Sequence, residues 1–276
     1  MAVAAAHDQR GRISDHAELM TETKRTSGER VLPVAVVIGS LLLWWGLAAA
    51  HVFPESLFPD PLAVGKGVVE EVITGRLFND LVASLFRVTA GFLLAVVLGI
   101  PLGLVLGSYG RARAALLPAV NFFRNLSPLA WIPFAILWFG IGDSPAVFLI
   151  FMASFFPIVL ATVAAVATIP MVYFRVAHDY GLTGGEMLMR VTLPAIAPQV
   201  ITVLRVTAGL AWVVVVAAEM IAGRDGLGFA IWDARNGLRI DLLVSGMIVI
   251  GLIGVVIDRL LFRLTRIPSV RWGYER

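Results

Sequence analysis

The sequence predicts an all-α integral membrane protein with about six transmembrane helices. Its 276 residues are 59% hydrophobic and only 15% charged, whereas a soluble domain is about 45–50% apolar and about 25% charged. The mean hydropathy is +0.87. The apolar residues are also grouped in runs of roughly 20, the length that a helix needs to cross a membrane.

Six such runs are predicted as membrane spans. Their approximate bounds are 31–50, 81–107, 114–139, 145–167, 197–221 and 242–262. The third run contains Pro128 and Pro133. Because proline removes a backbone donor and kinks or breaks a helix, a re-entrant or kinked segment is an alternative to a continuous third span.

The lysines and arginines between the runs predict the orientation. Fourteen lie in segments on the side of both chain ends, and five lie on the opposite side. Both ends are therefore predicted to be cytoplasmic, because cytoplasmic loops carry the excess of positive charge. Residues 1–30 lack a signal peptide and are predicted to be a disordered tail. The first transmembrane helix is assigned to 31–54, and a second cytoplasmic tail to 266–276.

A polar stretch between the fourth and fifth runs predicts a helix, a turn and a second helix on the cytoplasmic surface. Pro170 suits the start of the first helix, and Gly181 can end it in a left-handed conformation. Thr183 and Glu186 have the spacing of a capping box for the second helix. The pair Leu193-Pro194 is predicted to end that helix before the fifth span. A plain amphipathic surface loop is the alternative.

The order of residues in this stretch resembles the cytoplasmic loop of permease subunits of ATP-binding-cassette (ABC) importers. That loop reads Glu-Ala-Ala, then three further residues and a glycine, and then Leu-Pro about a dozen residues after the glycine. Here Ala177, Gly181 and Leu193-Pro194 match, whereas Arg175 stands in the place of the glutamate. A glutamate-based contact is therefore not carried over.

Other segments resemble the nitrate, sulfonate, taurine and bicarbonate branch of these type I importers. They are LFPDPLAVG at 57–65, PLAWIPFAILWFGIG at 128–142, VVVVAAEMIAG at 213–223 and GLGFAIWDARN at 226–236. The resemblance assigns residues 55–265 to the importer transmembrane domain. It implies a homodimeric permease in the bacterial inner membrane that carries a small anion, such as a sulfonate like taurine, or nitrate.

The resemblance also implies the partners. ATPase subunits, which would hold ATP and Mg²⁺, are expected on the cytoplasmic side, and a periplasmic or lipid-anchored solute-binding protein on the other side. The residues expected to dock the ATPase are Arg175, Val176, Ala177, Tyr180, Gly181, Leu182, Thr183, Gly184 and Glu186.

The chain shows no catalytic or metal-binding motif of its own. It lacks GxxxxGK[ST], HExxH and GxSxG, its four histidines are scattered, and it has no cysteine. A net charge of +3 is too small to indicate nucleic-acid binding. These absences predict a translocation subunit without catalytic residues. A self-sufficient secondary transporter that couples to ions through Arg124, Arg205 and Glu219 is the rival hypothesis.

Charged residues inside the predicted spans indicate a transport path, because a charge at membrane depth is costly unless it has a function. Arg205 and Glu219 share one helix face about 21 Å apart, and Gly209 and Trp212 lie between them. Their alternative role is to extend to the nearer membrane interface.

The third run adds further path candidates, Arg124, Pro128 and Trp131. Here the alternatives are a packing kink and, for Trp131, an interface anchor. The sequence RVTAG occurs at both 87–91 and 205–209. This repetition fits either an inverted repeat or a chance match.

Overall fold

The computed structural model describes residues 27–54 and 57–264 of the chain. The predicted tail over 266–276, and all but residues 27–30 of the tail predicted over 1–30, lie outside the described residues. Within them the regular structure is entirely helical and contains no strand. This confirms the all-α class.

The described residues form eleven α-helices joined by short connections. They are α1 (Ser27–Ala49), α2 (Pro61–Ile73), α3 (Arg76–Ser108), α4 (Gly110–Asn125), α5 (Ile132–Phe139), α6 (Asp143–Ala167), α7 (Met171–Asp179), α8 (Gly184–Met187), α9 (Leu193–Ala222), α10 (Leu227–Asn236) and α11 (Ile240–Leu264). A 3₁₀ turn, Pro128–Trp131, precedes α5, and a π-helical segment, Leu188–Thr192, joins α8 to α9.

Five stretches of the described residues are long and apolar enough to cross a membrane. They are Leu32–Ala49, Arg76–Ser108, Asp143–Ala167, Gly184–Ala222 and Ile240–Arg263. The predicted third span over 114–139 is not one helix, because it divides into α4, the 3₁₀ turn and α5. The re-entrant or kinked alternative therefore describes this region better than a continuous span.

Proline accounts for the division of this span. Ser127 precedes Pro128 and has an extended ψ of 128°, the conformation that a residue before proline prefers. Pro133 lies in the first turn of α5, where its missing N–H has no helical partner to lose. The chain thus leaves the helix after Asn125 and resumes it at Ile132.

Two compact units divide the chain, and the first contains α1. It covers Met1–Leu62, and the second covers Ala63–Arg276. Within the first unit, the indole nitrogen of Trp44 donates to the carbonyl oxygen of Pro59 at 3.1 Å. The rings of Phe53 and Phe58 lie 5.6 Å apart in the same unit.

The second unit is built around α6, which packs against α3 on one side and α9 on the other. Small residues on α3 recur every fourth position at 91, 95, 99, 103 and 107. They let the two backbones approach closely, as in membrane helix pairs with small residues at this spacing. A Cβ atom added at Gly91 would lie 2.6 Å from the carbonyl oxygen of Val147, and one at Gly103 would lie 2.5 Å from Cβ of Thr162.

The two ends of this bundle differ. At the loop end, α6 finishes at Ala167 and α7 and α8 follow. At the opposite end, which we call the cluster end, α6 begins at Asp143 and α9 finishes at Ala222. The short helices α2 and α10 lie at the cluster end, since they precede α3 and follow α9.

Arginines join the helices of the cluster end. Arg76 forms an ion pair with Asp233 of α10 at 2.6 Å. Arg239 bridges Glu70 of α2 at 2.9 Å and Asp241 of α11 at 2.8 Å. Its hydrogen bonds to Asp241 and Glu70 raise the pKa of Arg239 above the ordinary value. Arg76 and Arg239 are thus both paired with carboxylates, on the side that the charge rule predicts to be poor in arginine.

Candidate functional site

The turn after α7 has the conformation predicted from Gly181. Gly181 lies at φ +77°, in the left-handed region. Its N–H donates to the carbonyl oxygen of His178 at 2.8 Å, and the N–H of Leu182 donates to that of Ala177 at 3.0 Å. These two bonds define a Schellman motif, which ends a helix at a left-handed residue. The predicted helix stop is therefore confirmed.

The predicted capping box is wrong in its side-chain bonds. Thr183 does occupy the N-cap position of α8, but its side chain makes no capping hydrogen bond. The backbone N–H of Glu186 donates instead to the carbonyl oxygen of Thr183 at 3.1 Å. The carboxylate of Glu186 lies 3.7 Å from Arg190, and both side chains are exposed.

The predicted end of the second helix at Leu193-Pro194 is also wrong. The helix starts at Gly184 and continues through the π-helical segment into α9 as one stretch to Ala222. The N–H of Leu193 donates to the carbonyl oxygen of Leu188, five residues earlier. Pro194 has no N–H to donate, and it lies just after the π-helical segment Leu188–Thr192, where the regular bonding of an α-helix is already interrupted. The loop is thus directly continuous with a membrane-length helix.

A groove at the loop end separates α7 from the start of α9. Its walls include Val172, Tyr173, Val176, Leu182 and Val191. Of the predicted docking residues, Ala177 is buried and Leu182 is partly buried, whereas seven are exposed: Arg175, Val176, Tyr180, Gly181, Thr183, Gly184 and Glu186. The apolar face of α7 therefore stands open at this end, and Tyr180 is 83% exposed.

A buried ionic cluster occupies the opposite end of the bundle. We call it the Arg87 cluster, and its members are Ser84, Arg87, Asp143, Glu219 and Asp225. The guanidinium of Arg87 donates to Oε1 of Glu219 at 2.7 Å and to Oδ1 of Asp143 at 2.7 Å. It also donates to the carbonyl oxygen of Asp225 at 2.9 Å and pairs with the carboxylate of the same residue. One cation thus joins α3, the start of α6, the end of α9 and the turn that follows α9.

Side chains at this end of α3 and of α9 also cap α10. The first N–H groups of a helix have no intrahelical acceptor. Here the N–H of Gly226 donates to Asp80 at 2.8 Å, that of Leu227 to Oγ of Ser84 at 3.0 Å, and that of Gly228 to Oε2 of Glu219 at 2.9 Å. Two carboxylates beside these amides also complement the positive end of the helix dipole.

Glu219 does not lie on a face that is open to a path. Its residue exposure is 0%, and Ser84, Arg87 and Gly228 donate to its carboxylate. Ser84 and Arg87 lie on α3 and Gly228 lies on α10, so the carboxylate of Glu219 is held between helices of the same chain. The alternative role at the nearer membrane interface stays a prediction. The prediction that Glu219 shares a face with Arg205 came from their spacing along one helix. That spacing carries no information about Arg87, which lies on another helix.

The other path candidates of the fifth span face α11 or open space. Arg205 makes two hydrogen bonds of 2.8 Å to Asp258 of α11, and its guanidinium carbon lies 4.8 Å from the ring centre of Phe262. Trp212 is buried and donates to the carbonyl oxygen of Ile250 at 3.2 Å. Gly209 is exposed, and an added Cβ would meet nothing within 4 Å. Arg205 and Trp212 therefore hold α11 against α9.

The candidates of the third predicted span lie around the break between α4 and α5. Arg124 is exposed in the last turn of α4, and Pro128 opens the 3₁₀ turn that Trp131 closes. Phe123 stacks on Phe156 of α6 with ring centres 5.7 Å apart. Because Phe156 lies in the middle part of α6, the break lies at mid-depth along the bundle.

Sequence analysis missed Arg87 as a site residue. The only signal was its position inside a predicted span, together with the RVTAG repeat that it begins. The residues that the structure describes contain no cluster of histidine and carboxylate side chains that could hold a metal ion. The repeated glycines differ as well: Gly91 is packed tightly against α6, whereas Gly209 is exposed.

Known permeases resemble this chain over most of its length. The bicarbonate transport system permease protein of Synechococcus elongatus is 34% identical over 245 residues, 86% of this chain and 88% of the relative. The nitrate import permease protein of Leptolyngbya laminosa is 34% identical over 242 residues, with coverages of 84% and 85%. The taurine transport system permease protein of Escherichia coli is 31% identical over 241 residues, with coverages of 84% and 86%.

Solved structures show a related fold. The MetNI methionine ABC transporter in an inward-facing conformation aligns with a TM-score of 0.63 and 18% identity over 71% of this chain and 97% of that chain. A model of the family described as binding-protein-dependent transport system inner membrane component matches residues 95–271. Because this match covers more than half of the chain and agrees with the permease relatives, the protein belongs to that family, the membrane-spanning permease subunits of ABC importers.

Proposed function

We propose that this permease imports a small anion, with a sulfonate such as taurine, nitrate and bicarbonate as the first substrates to test. The relatives described above are named for taurine, nitrate and bicarbonate, which share a compact oxyanion group. Membership of the ABC permease family favours an ATP-driven importer over the self-sufficient secondary transporter. The chain is accordingly a translocation subunit, and ATP with Mg²⁺ is expected on a separate ATPase chain.

The loop end is proposed to face the cytoplasm of a bacterial cell and to bind the ATPase. The supporting observation is the Schellman turn at Gly181, which leaves the apolar face of α7 exposed beside the groove. α8 continues without interruption into α9, so movement of a bound ATPase would be transmitted directly to a membrane-spanning helix. Both chain ends would then be cytoplasmic, in agreement with the distribution of positive charge.

The break between α4 and α5 is proposed to line the transport path between two copies of the chain. Asn121, Arg124, Asn125 and Ser127 are all exposed there. Polar side chains and irregular backbone at membrane depth are tolerated only against protein or a water-filled cavity. A lipid-facing surface is therefore a poor explanation for this region. A second permease copy and the aqueous path that it would enclose satisfy the requirement.

Purification and reconstitution test the proposal. The tagged chain, isolated from its native membranes, should bring with it a nucleotide-binding chain that contains GxxxxGK[ST]. Proteoliposomes with this complex and the external binding protein should then accumulate labelled taurine, nitrate or bicarbonate only when ATP is supplied to the loop-end side. Uptake by the chain alone in response to a proton or sodium gradient would contradict the importer proposal.

A further inference from the structure

We propose that Arg87 is a positioning residue for the external end of the transport path. In this role it holds two loops of the cluster end together: the loop 140–143 that follows α5, and the turn 223–226 that follows α9. The inference rests on the proposed function in two respects, since it takes the cluster end as external and the segment from α4 to α5 as the lining of the path.

The geometry of the guanidinium supports this role. Arginine has five N–H donors in a rigid plane, so it can bind several carboxylates in fixed directions. Nε and Nη2 of Arg87 bind Asp143, and Nη1 binds Glu219. Nη1 also donates to the carbonyl oxygen of Asp225, and Nη2 pairs with the carboxylate of that residue. A lysine ammonium is a point charge with three rotatable donors and could not hold the same set.

The cluster has a buried part and an exposed part. Arg87 and Glu219 have side-chain exposures of 1% and 0%, and Ser84 beside them is also fully buried. Asp143 and Asp225, in contrast, have side-chain exposures of 58% and 59%. The buried pair therefore fixes the guanidinium on α3 and α9, and the guanidinium in turn holds two carboxylates that lie at the surface.

The surface carboxylate of Asp143 belongs to a segment that needs such a restraint. Asp143 follows Gly140 and Gly142, which lie at φ +76° and φ +144°. An added Cβ at either glycine would meet nothing within 4 Å, so no neighbouring residue packs against these two positions. The loop is attached by the pair of Asp143 with Arg87 and by one backbone bond, from Gly142 N to the carbonyl oxygen of Ala222 at 3.1 Å.

The consequence for transport follows from the order of the chain. α5 ends at Phe139, only a few residues before Asp143. α5 itself packs on α6, since the ring centres of Trp138 and Phe139 lie 6.0 and 5.5 Å from that of Phe148. A loop that is free at Asp143 would therefore loosen the segment between α5 and α6, which forms one end of the proposed path. With Arg87 in place, the end of α5, the start of α6 and the end of α9 stay in register at the external side.

Spin-label distances measure this positioning without reference to transport. The chain has no cysteine, so cysteines at the exposed positions Ile141 and Val206 can carry two labels per chain in the purified complex. Val206 lies 16 residues before Ala222 on α9, about 24 Å along the helix axis, so the two labels are far enough apart for a dipolar distance measurement. The double electron–electron resonance distribution between them should be narrow in the otherwise unchanged chain. The distance distribution should broaden in Arg87→Met and also in Asp143→Ala. Asp143 is exposed, so the Asp143→Ala chain should still fold, and its buried pair of Arg87 and Glu219 stays intact.

Arg239→Met is the matched control. Arg239 is another arginine of the cluster end that holds two carboxylates, but it does not touch the Arg87 cluster. Its replacement should leave the distance distribution narrow. Uptake per ATP hydrolysed should fall at least about tenfold in Asp143→Ala, the factor that one charge-assisted hydrogen bond supplies. Asp143→Asn keeps an acceptor oxygen, so it should recover part of the lost uptake.

The two proposals fail in different ways. A narrow distribution in both Arg87→Met and Asp143→Ala would overturn the positioning role, whatever the uptake. A broadened distribution with unchanged uptake would instead support the positioning of the loops but contradict the assignment of the α4–α5 segment to the path.

Discussion

Arg87 and Glu219 show what a charge inside a membrane protein requires of its surroundings. Each is buried, and a buried charge without a partner would be strongly destabilising. The structure meets this requirement with an ion pair and with further donors from Ser84 and Gly228. These charges therefore hold helices together within one chain.

Replacing Glu219 with glutamine should destabilise the chain strongly. The substitution leaves Arg87 without the buried carboxylate that faces it, and loss of one partner of a buried pair costs about 3–5 kcal/mol. A lower thermal unfolding temperature of the purified protein in detergent would be the readout. Glu186→Gln is the control, because its pair with Arg190 is exposed and exposed pairs contribute little. Equal unfolding temperatures for the two variants would contradict the assignment.

A second residue-level prediction concerns the turn at Gly181. A valine there has to adopt φ +77°, at a cost of about 1–2 kcal/mol for a residue with a Cβ atom. Gly181→Val should still insert into the membrane but should bind less ATPase, as measured by the amount of nucleotide-binding chain that co-purifies. Gly185→Ala is the control, since Gly185 has no left-handed φ and has open space around it. ATPase recovery at the wild-type level in Gly181→Val would argue against docking at this turn.

At the scale of elements, α3 and α6 pack closely against each other over most of their length. The apolar residues of α3 alone do not create this contact, since lipid tails are as apolar as leucine and give no drive for helix association. The small residues at every fourth position allow the close approach, and the side chains of α6 fill the space that they leave. α3 is therefore fixed by shape over most of its length.

A larger residue in this contact should be poorly tolerated. Gly103→Val would place its Cβ 2.5 Å from Cβ of Thr162 and 2.8 Å from the carbonyl oxygen of Val159, and overpacking of this kind costs about 1–3 kcal/mol. The expected result is a lower unfolding temperature and less folded protein in size-exclusion chromatography. Gly251→Val, in α11, is the comparison because nothing lies within 4 Å of its added Cβ. Equal behaviour of both variants would contradict this packing argument.

At the scale of the whole molecule, one surface is too polar to face lipid. The break between α4 and α5 exposes polar side chains and irregular backbone, whereas the outer face of α3 exposes leucine and valine, among them Leu93, Val97 and Leu98. The second surface suits lipid tails. The first suits water or another chain, which is why it carries the proposed path.

Cysteine labelling should distinguish these two surfaces in intact membranes. A single cysteine at Ser127 should react with a charged, membrane-impermeant thiol reagent, because the proposed path admits water to the break. A single cysteine at Leu98, which is 48% exposed in the chain, should stay unreactive, because lipid covers it. Both variants start from a chain without cysteine, so the background is zero. Protection of Ser127→Cys to the same degree as Leu98→Cys would reject the aqueous path at this site.

The sequence by itself determined the features that depend on local chemistry. The membrane class follows from the length of the apolar runs, and the helix stop at Gly181 follows from the freedom of glycine to adopt a positive φ. The prolines likewise identified the third span as the one open to interruption. Each of these features depends on residues that are close together in the chain, so a linear pattern is enough to predict them.

Only the tertiary structure decided which charges meet. Arg87 and Glu219 are 132 positions apart, and the spacing along α9 alone had grouped Glu219 with Arg205. Only the folded structure showed that the second helix of the loop continues through Leu193-Pro194 into α9. The π-helical segment before Pro194 already departs from regular α-helical bonding, so the helix can continue although Pro194 has no N–H to donate. Pairing across helices depends on how α3, α6 and α9 pack, and that arrangement is a property of the folded chain that no local pattern specifies.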